Sequence, residues 1–167
     1  MDDGRGARGF TLIELLAVIA LVAILAGAAV PAFARLLLDS RRDAGTRAML
    51  QAIHVARQLA AVRGHAARIC GSRDGQHCDG GDEWAGSLLV TGDRGPPYRV
   101  IPVPAQGIRL LANRTVVFFE AGSGFATPAT VAVCDRRGAK AARAVIISRS
   151  GRPRVDTRDP AGGPIRC

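Results

Sequence analysis

Three sets of residues carry the chemistry this chain can offer: one carboxylate inside an apolar run, four cysteines, and a C-terminal concentration of arginine. Glu14 is the only charged residue between Gly9 and Ala34. A carboxylate at the centre of a membrane helix costs about 2.5–3.5 kcal/mol, so Glu14 is a candidate for a functional ion pair. Close to a helix N-terminus the same group is favoured by the helix dipole and needs no partner. Cys70, Cys78, Cys134 and Cys167 all lie beyond the apolar run. An even count in an anchored domain predicts two disulfides in an oxidising compartment. Three pairings are open, and we favour Cys70 with Cys78 across a short turn-rich loop and Cys134 with Cys167, which would pin the C-terminus. A zinc site from Cys70, Cys78 and His77 would lack the tight cysteine pairs of structural zinc sites.

The arginines form the third set. Between Asp135 and Arg158 the chain has eight basic residues (Arg136, Arg137, Lys140, Arg143, Arg149, Arg152, Arg154 and Arg158) against Asp135 and Asp156, a net of +6. Gly151-Arg152-Pro153-Arg154 follows an apolar strand, and its glycine and proline predict a tight, stiff loop holding two guanidinium groups outward. Guanidinium matches phosphate oxygens in bidentate fashion and needs no base information, which suits sequence-independent DNA binding. Arg143, Arg149 and Arg158 would support it. The alternative is that Arg152 and Arg154 pair with Asp156 or Asp159, or solvate one face. No aromatic residue is interleaved in the motif, so base stacking is not the expected mode.

Certain elements must position these groups. The chain has 167 residues, a formal net charge of +9 and a pI near 11.0, which points to an anionic partner, either nucleic acid or acidic lipid. From Leu15 to Ala34 there is no charge, and a helix of about 20 such residues spans a bilayer. We therefore divide the chain into a leader (1–9), a membrane-spanning helix (10–34), an amphipathic continuation (35–64) and a β-rich head (65–167). Gly27 and Pro31 predict a kink or local loosening, after which the helix resumes. Ala52, Ile53, Ala56, Leu59 and Ala60 recur at helical spacing, with Arg47, Gln51, His54 and Arg57 on other faces. Gly64 ends the pattern. Strands are expected near Ala66–Cys70, Ser87–Thr91, Tyr98–Val103, Ile108–Ala112, Thr115–Glu120, Ala129–Cys134 and Ala142–Ser148, with a loop-like tail from Pro160 to Pro164. This is an α+β chain, its helix packed on an antiparallel sheet or small sandwich.

The segment Gly9-Phe10-Thr11-Leu12-Ile13-Glu14-Leu15-Leu16, with Pro31 further on, resembles the prepilin segment of type IV pilins and type II secretion pseudopilins. The resemblance implies the type IV pilin fold, cleavage between Gly9 and Phe10 by a prepilin peptidase, and methylation of the new Phe10 amine. It implies that Glu14, fifth in the mature chain, pairs with the N-terminal amine of a neighbouring subunit as helices pack in a filament, where each charge stabilises the other in an apolar medium. Asp2 and Asp3 in the leader depart from the pattern. Arg35, Arg41 and Arg42 balance Arg5 and Arg8, so the positive-inside rule does not orient the helix. Cys70 to Cys78, Trp84, Thr130 to Cys134 and Val145 to Arg154 are similar to the GspH/FimT group. Within it, FimT-like members are minor pilins linked to DNA uptake and bind DNA through a Gly-Arg-x-Arg motif that this chain fits at Gly151, Arg152 and Arg154. GspH-like members are minor pseudopilins of type II secretion.

The leading expectation is thus a FimT-like minor pilin, anchored in the bacterial inner membrane with a periplasmic head and active in natural transformation. The alternative is a GspH-like minor pseudopilin, and a third is an ordinary single-pass anchored protein. Expected partners are prepilin peptidase, other pilins or pseudopilins, the inner membrane and DNA, with no small-molecule substrate. His54, His65 and His77 show no nucleophile or metal spacing, so neither enzymatic activity, a metal nor a cofactor is expected. His54 should sit on a polar helix face and Trp84 should anchor the core.

Overall fold

The computed structural model of this chain describes residues 11–92, 95–104 and 106–167. Its first element, α1, is an α-helix over Leu12–Ala61. The Thr11 hydroxyl accepts the backbone N–H of Glu14 at 3.3 Å, so the Thr-x-x-Glu spacing satisfies one donor left open in the first turn. The helix runs unbroken through Gly27 and Pro31. Beyond Ala61 the backbone turns at Gly64, with φ +67°, and the His65 N–H donates back to Leu59 O at 3.2 Å.

The chain divides into two compact units, Met1–Leu37 and Leu38–Cys167. In the first, the large apolar side chains of α1, from Leu12 through Phe33, are exposed, and the helix is long and apolar enough to cross a membrane.

The second unit holds two four-stranded antiparallel sheets. One runs β3 (Arg99–Pro102), β2 (Ser87–Thr91), β1 (Ala67–Ser72), β5 (Val116–Phe119). The other runs β4 (Ile108–Ala112), β6 (Ala129–Asp135), β7 (Arg143–Ile147), β8 (Pro153–Asp156). A short 3-10 turn, Gly138–Lys140, links β6 to β7. Strand alternation turns Ile69, Leu88, Val90, Ile101, Val117 and Phe119 of the first sheet and Leu110, Val131, Val133, Val145 and Ile147 of the second into one core. The second half of α1 completes that core. The face expected from spacing, Ala52, Ile53, Ala56, Leu59 and Ala60, is buried together with Ala48 and Met49.

That helix face is small where it meets the core. Ala48, Ala52, Ala56 and Ala60 recur every four residues, and a Cβ on Gly45 would already lie 3.3 Å from Val133 Cγ1. Trp84 is buried as expected, and its closeness to β1 excludes any side chain at Gly71, whose Cβ would meet Trp84 Cα at 2.5 Å. Two disulfides close the periphery, Cys70–Cys78 and Cys134–Cys167, the pairs favoured from the sequence. The second holds the tail so that Ile165 covers the outer face of the β4–β8 sheet with Ala132, Ala144 and Ile146.

A charged cluster joins α1 to the end of β6. Arg42, nearly buried, reaches Asp39 at 2.9 Å, Asp43 at 3.0 Å and the Ala141 carbonyl at 3.1 Å. Arg137 reaches the wholly buried carboxylate of Asp135 at 2.6 Å and Asp39 at 2.8 Å. Hydrogen bonds from Arg137 hold both carboxyls below their usual value.

Two predictions arise from this packing. Ala56→Leu is expected to destabilise the head by about 1–3 kcal/mol through overpacking, measured by urea unfolding. For carboxyls with lowered folded pKa values, the stabilisation is complete above the unfolded value of 3.8 and disappears as pH falls through the lower folded values. Arg137→Ala is therefore expected to lower the thermal midpoint clearly at neutral pH and much less in acid; an equal deficit at both would assign Arg137 a packing role only.

Candidate functional site

The β7–β8 hairpin carries the motif arginines. Its turn, Ser148 to Arg152, is closed by Gly151 N–H donating to Ser148 O at 2.9 Å and Ser148 N–H donating to Arg152 O at 3.1 Å. The Ser148 hydroxyl adds a second bond to Arg152 O at 3.1 Å. Gly151 has φ +70°, the left-handed residue that a three-residue hairpin loop requires. It is also buried. A Cβ there would collide with the Gly124 carbonyl and lie 3.4 Å from Arg57 Cδ.

The turn is docked rather than free. Ala126 N–H donates to Arg149 O at 2.8 Å, and Gly122 N–H donates to Ala60 O at 2.8 Å, so the segment 122–126 bridges the hairpin to the end of α1. The turn carries Arg149 and Arg152, both exposed, and the side chain of Arg57 passes beside Gly151 from the helix. None forms an ion pair among the described residues. The Nε of Arg57 is buried without a hydrogen-bond partner.

The remaining basic residues do not join them. Arg154 is not in a loop, as the sequence suggested, but in β8, opposite Ile146. Pro153 tolerates this because an edge strand can spare its N–H. Arg154 also pairs with Asp156 at 3.4 Å, the alternative considered from the sequence. Arg143 begins β7 and Arg158 follows β8, both at the hairpin's other end, about 13 Å from the turn at the strand rise. Arg143 donates to Ala142 O and Arg158 to Gly162 O, each at 3.2 Å. Arg137 is committed to Asp39 and Asp135. The basic stretch of sequence is thus spread over the hairpin, with Arg149 and Arg152 at its turn. Arg57, which sequence reasoning placed off the apolar helix face, lies beside that turn; no local signal could have joined it to Gly151.

The carboxylate of Glu14 is exposed and has no partner among the described residues. Gly9 and Phe10 lie outside the described residues. His54 is exposed on α1 and His65 follows its end, while His77 sits in the Cys70–Cys78 loop with its Nδ1 2.8 Å from Asp74. Bonds from His77, Gln76 and Ser72 hold the Asp74 carboxyl well below its usual value. Among the described residues no group of His, Cys, Asp or Glu is arranged to hold a metal ion.

A long apolar-to-amphipathic helix whose second half packs on antiparallel sheets is the architecture of a type IV pilin-like subunit. The chain belongs to the GspH/FimT family of minor pilins and pseudopilins: the family described as Type II transport protein GspH matches residues 45–151, and the prokaryotic N-terminal methylation motif matches residues 4–30. The fold is similar to that of the Pseudomonas aeruginosa (strain PAO1) type IV minor pilin FimU in two crystal forms. In one the TM-score is 0.54 at 18% identity, covering 74% of this chain and 95% of that one. In the other it is 0.55 at 19% identity, covering 75% and 92%. Comparison with curated proteins finds no match.

Because Gly151 combines a left-handed backbone with no room for a side chain, Gly151→Ala is expected to destabilise the head by about 1–3 kcal/mol, measured by urea unfolding. Stability equal to the parent would mean that the hairpin can move off Gly124 at no loss.

Proposed function

We propose that this chain is a FimT-like minor type IV pilin, taking part in pilus biogenesis and in DNA uptake during natural transformation. A prepilin peptidase cuts between Gly9 and Phe10 and methylates Phe10, and Glu14 then pairs with the N-terminal amine of a neighbouring pilin. The exposed apolar side chains from Leu12 onward support insertion in the inner membrane before assembly. The two disulfides support an oxidising, periplasmic location for the head. The chain works as a filament component and not as an enzyme.

The observation that carries DNA binding is a turn that bears the exposed Arg149 and Arg152, has Arg57 packed beside its glycine and is held by backbone bonds to the segment 122–126. Guanidinium groups without carboxylate partners among the described residues are available to phosphate, and a docked turn loses little freedom on binding. Arg154 contributes less, since Asp156 competes for it.

The second reading is a GspH-like minor pseudopilin of a type II secretion system. It is favoured by the description of the matching family and would make the basic turn incidental.

Duplex DNA titrated into the full chain in detergent across a salt series separates the two. Each phosphate contact contributes about −0.9 to the log–log salt slope, so Arg149→Ala with Arg152→Ala is expected to reduce the slope by about 2 and Arg154→Ala by less. A double variant that matches the parent at every salt concentration removes the DNA reading. A deletion strain that fails to secrete but transforms normally supports the pseudopilin.

A further inference from the structure

The head has a second basic end, away from the hairpin turn. The chain enters the second unit at Leu38, and within about one helical turn the β6–β7 connection is fastened to α1. Arg137 bonds Asp39 at 2.8 Å, and Arg42 donates to the Ala141 carbonyl at 3.1 Å. Arg41 ties in the approach to β4, donating to Gln106 O at 3.5 Å and to Gln106 Oε1 at 3.4 Å.

The carboxylates at this end are occupied from within. Asp39, Asp43 and Asp135 are held by Arg42 and Arg137. Asp156 accepts the N–H groups of Thr157 and Arg158 and pairs with Arg154, while Asp159 accepts the N–H groups of Ala161 and Gly163. Arg136 and Lys140, on the connection itself, are exposed and form no ion pair among the described residues. Lys140 lines an open cleft of about 360 Å³ together with Thr157 and Arg158, and the described lining contains no carboxylate.

The covalent chain decides what this end faces. The charge-free run stops at Ala34, four residues before Leu38, and four residues reach at most about 14 Å even when fully extended. The headgroup layer beyond the hydrocarbon is itself about 5–7 Å deep. Arg35 falls in the same short interval. Whatever the angle between helix and head, the entry end stays within reach of lipid phosphates.

We propose that Arg41, Arg136, Lys140 and Arg158 form a collar that docks the head on anionic phospholipid, with a headgroup phosphate held between Lys140 and Arg158 in the cleft. This rests on the reading of the apolar helix as a membrane anchor and assigns a contact to the head before assembly. The occupant is lipid and not nucleic acid, because the anchor keeps this end at a bilayer whose own phosphates repel DNA. The turn at the hairpin's other end stays open.

The test places the full chain in nanodiscs of phosphatidylcholine alone or mixed with phosphatidylglycerol, and follows amide hydrogen exchange of residues 136–142 and 157–163 by mass spectrometry. In the mixed discs both segments are expected to exchange more slowly, and added salt to remove the difference. Arg136→Gln and Lys140→Gln are each expected to reduce the protection about fivefold, and Lys140→Arg to keep it. All three should melt like the parent, since both side chains are exposed. Arg63→Gln, beyond the far end of α1, should leave the protection unchanged. Equal exchange in the two kinds of disc overturns the lipid site and leaves the anchor standing; a chain that enters neither disc overturns both. Inorganic phosphate that protects as well in neutral discs would make the cleft a free-phosphate site. Protection in neutral discs that appears only when two copies share a disc would make this end a contact between subunits. Either result overturns the proposal.

Discussion

The closeness of α1 to its two sheets is the constraint on which the head depends. Ala48, Ala52, Ala56 and Ala60, with Gly45 one turn earlier, leave the side chains of both sheets room against the helix, so side chains from three layers meet in a single core. Larger residues on that stripe would hold the sheets apart and open voids around Ile53 and Met49. The same closeness brings the end of α1 to the segment 122–126, where Gly122 bonds Ala60 and Gly124 crowds Ala61. The hairpin turn rests on that segment in its turn. The placement of the arginines is thus inherited from the packing of alanines.

This inheritance distinguishes the turn from an ordinary basic loop. A surface loop that carries arginines samples many conformations and loses them on binding. Here Gly151 is fixed by its left-handed backbone and by the Gly124 carbonyl, Ser148 is bonded through both its N–H and its carbonyl, and the Arg149 carbonyl accepts from Ala126. The glycine of the motif has a structural duty, while Arg149 and Arg152 form no ion pair among the described residues. Further along, Arg137 is consumed in holding α1 to β6 through Asp39 and Asp135. Charge in the sequence and charge at the surface therefore differ, and the difference is set by which carboxylates the fold brings near.

Much of the fold could be read from local pattern. The buried helix face follows from spacing at Ala52, Ile53, Ala56, Leu59 and Ala60, and β2 and β4 occupy the expected Ser87–Thr91 and Ile108–Ala112. β8 was not legible, since it is four residues long, opens with proline and alternates a valine with charges, so neither propensity nor periodicity marks it. That one omission turned a hairpin strand into a loop and moved Arg154 from a tip to an edge. The site was legible only in part. Arg152 and Gly151 announce themselves by motif, but Arg57 reaches the turn through tertiary packing across a long sequence separation, which no local rule encodes.

The outer edge of β8 has a consequence of a different kind. An exposed strand edge offers unpaired backbone groups to any other strand, and the usual protections are shortness, proline and charge. β8 has all three, in Pro153, Arg154 and Asp156. A chain whose apolar helix already exposes one sticky surface thereby has this edge of its sheet guarded against a second route of self-association. Solubility of the head and the choice of its neighbours are in this way guarded by the same few residues that end the hairpin.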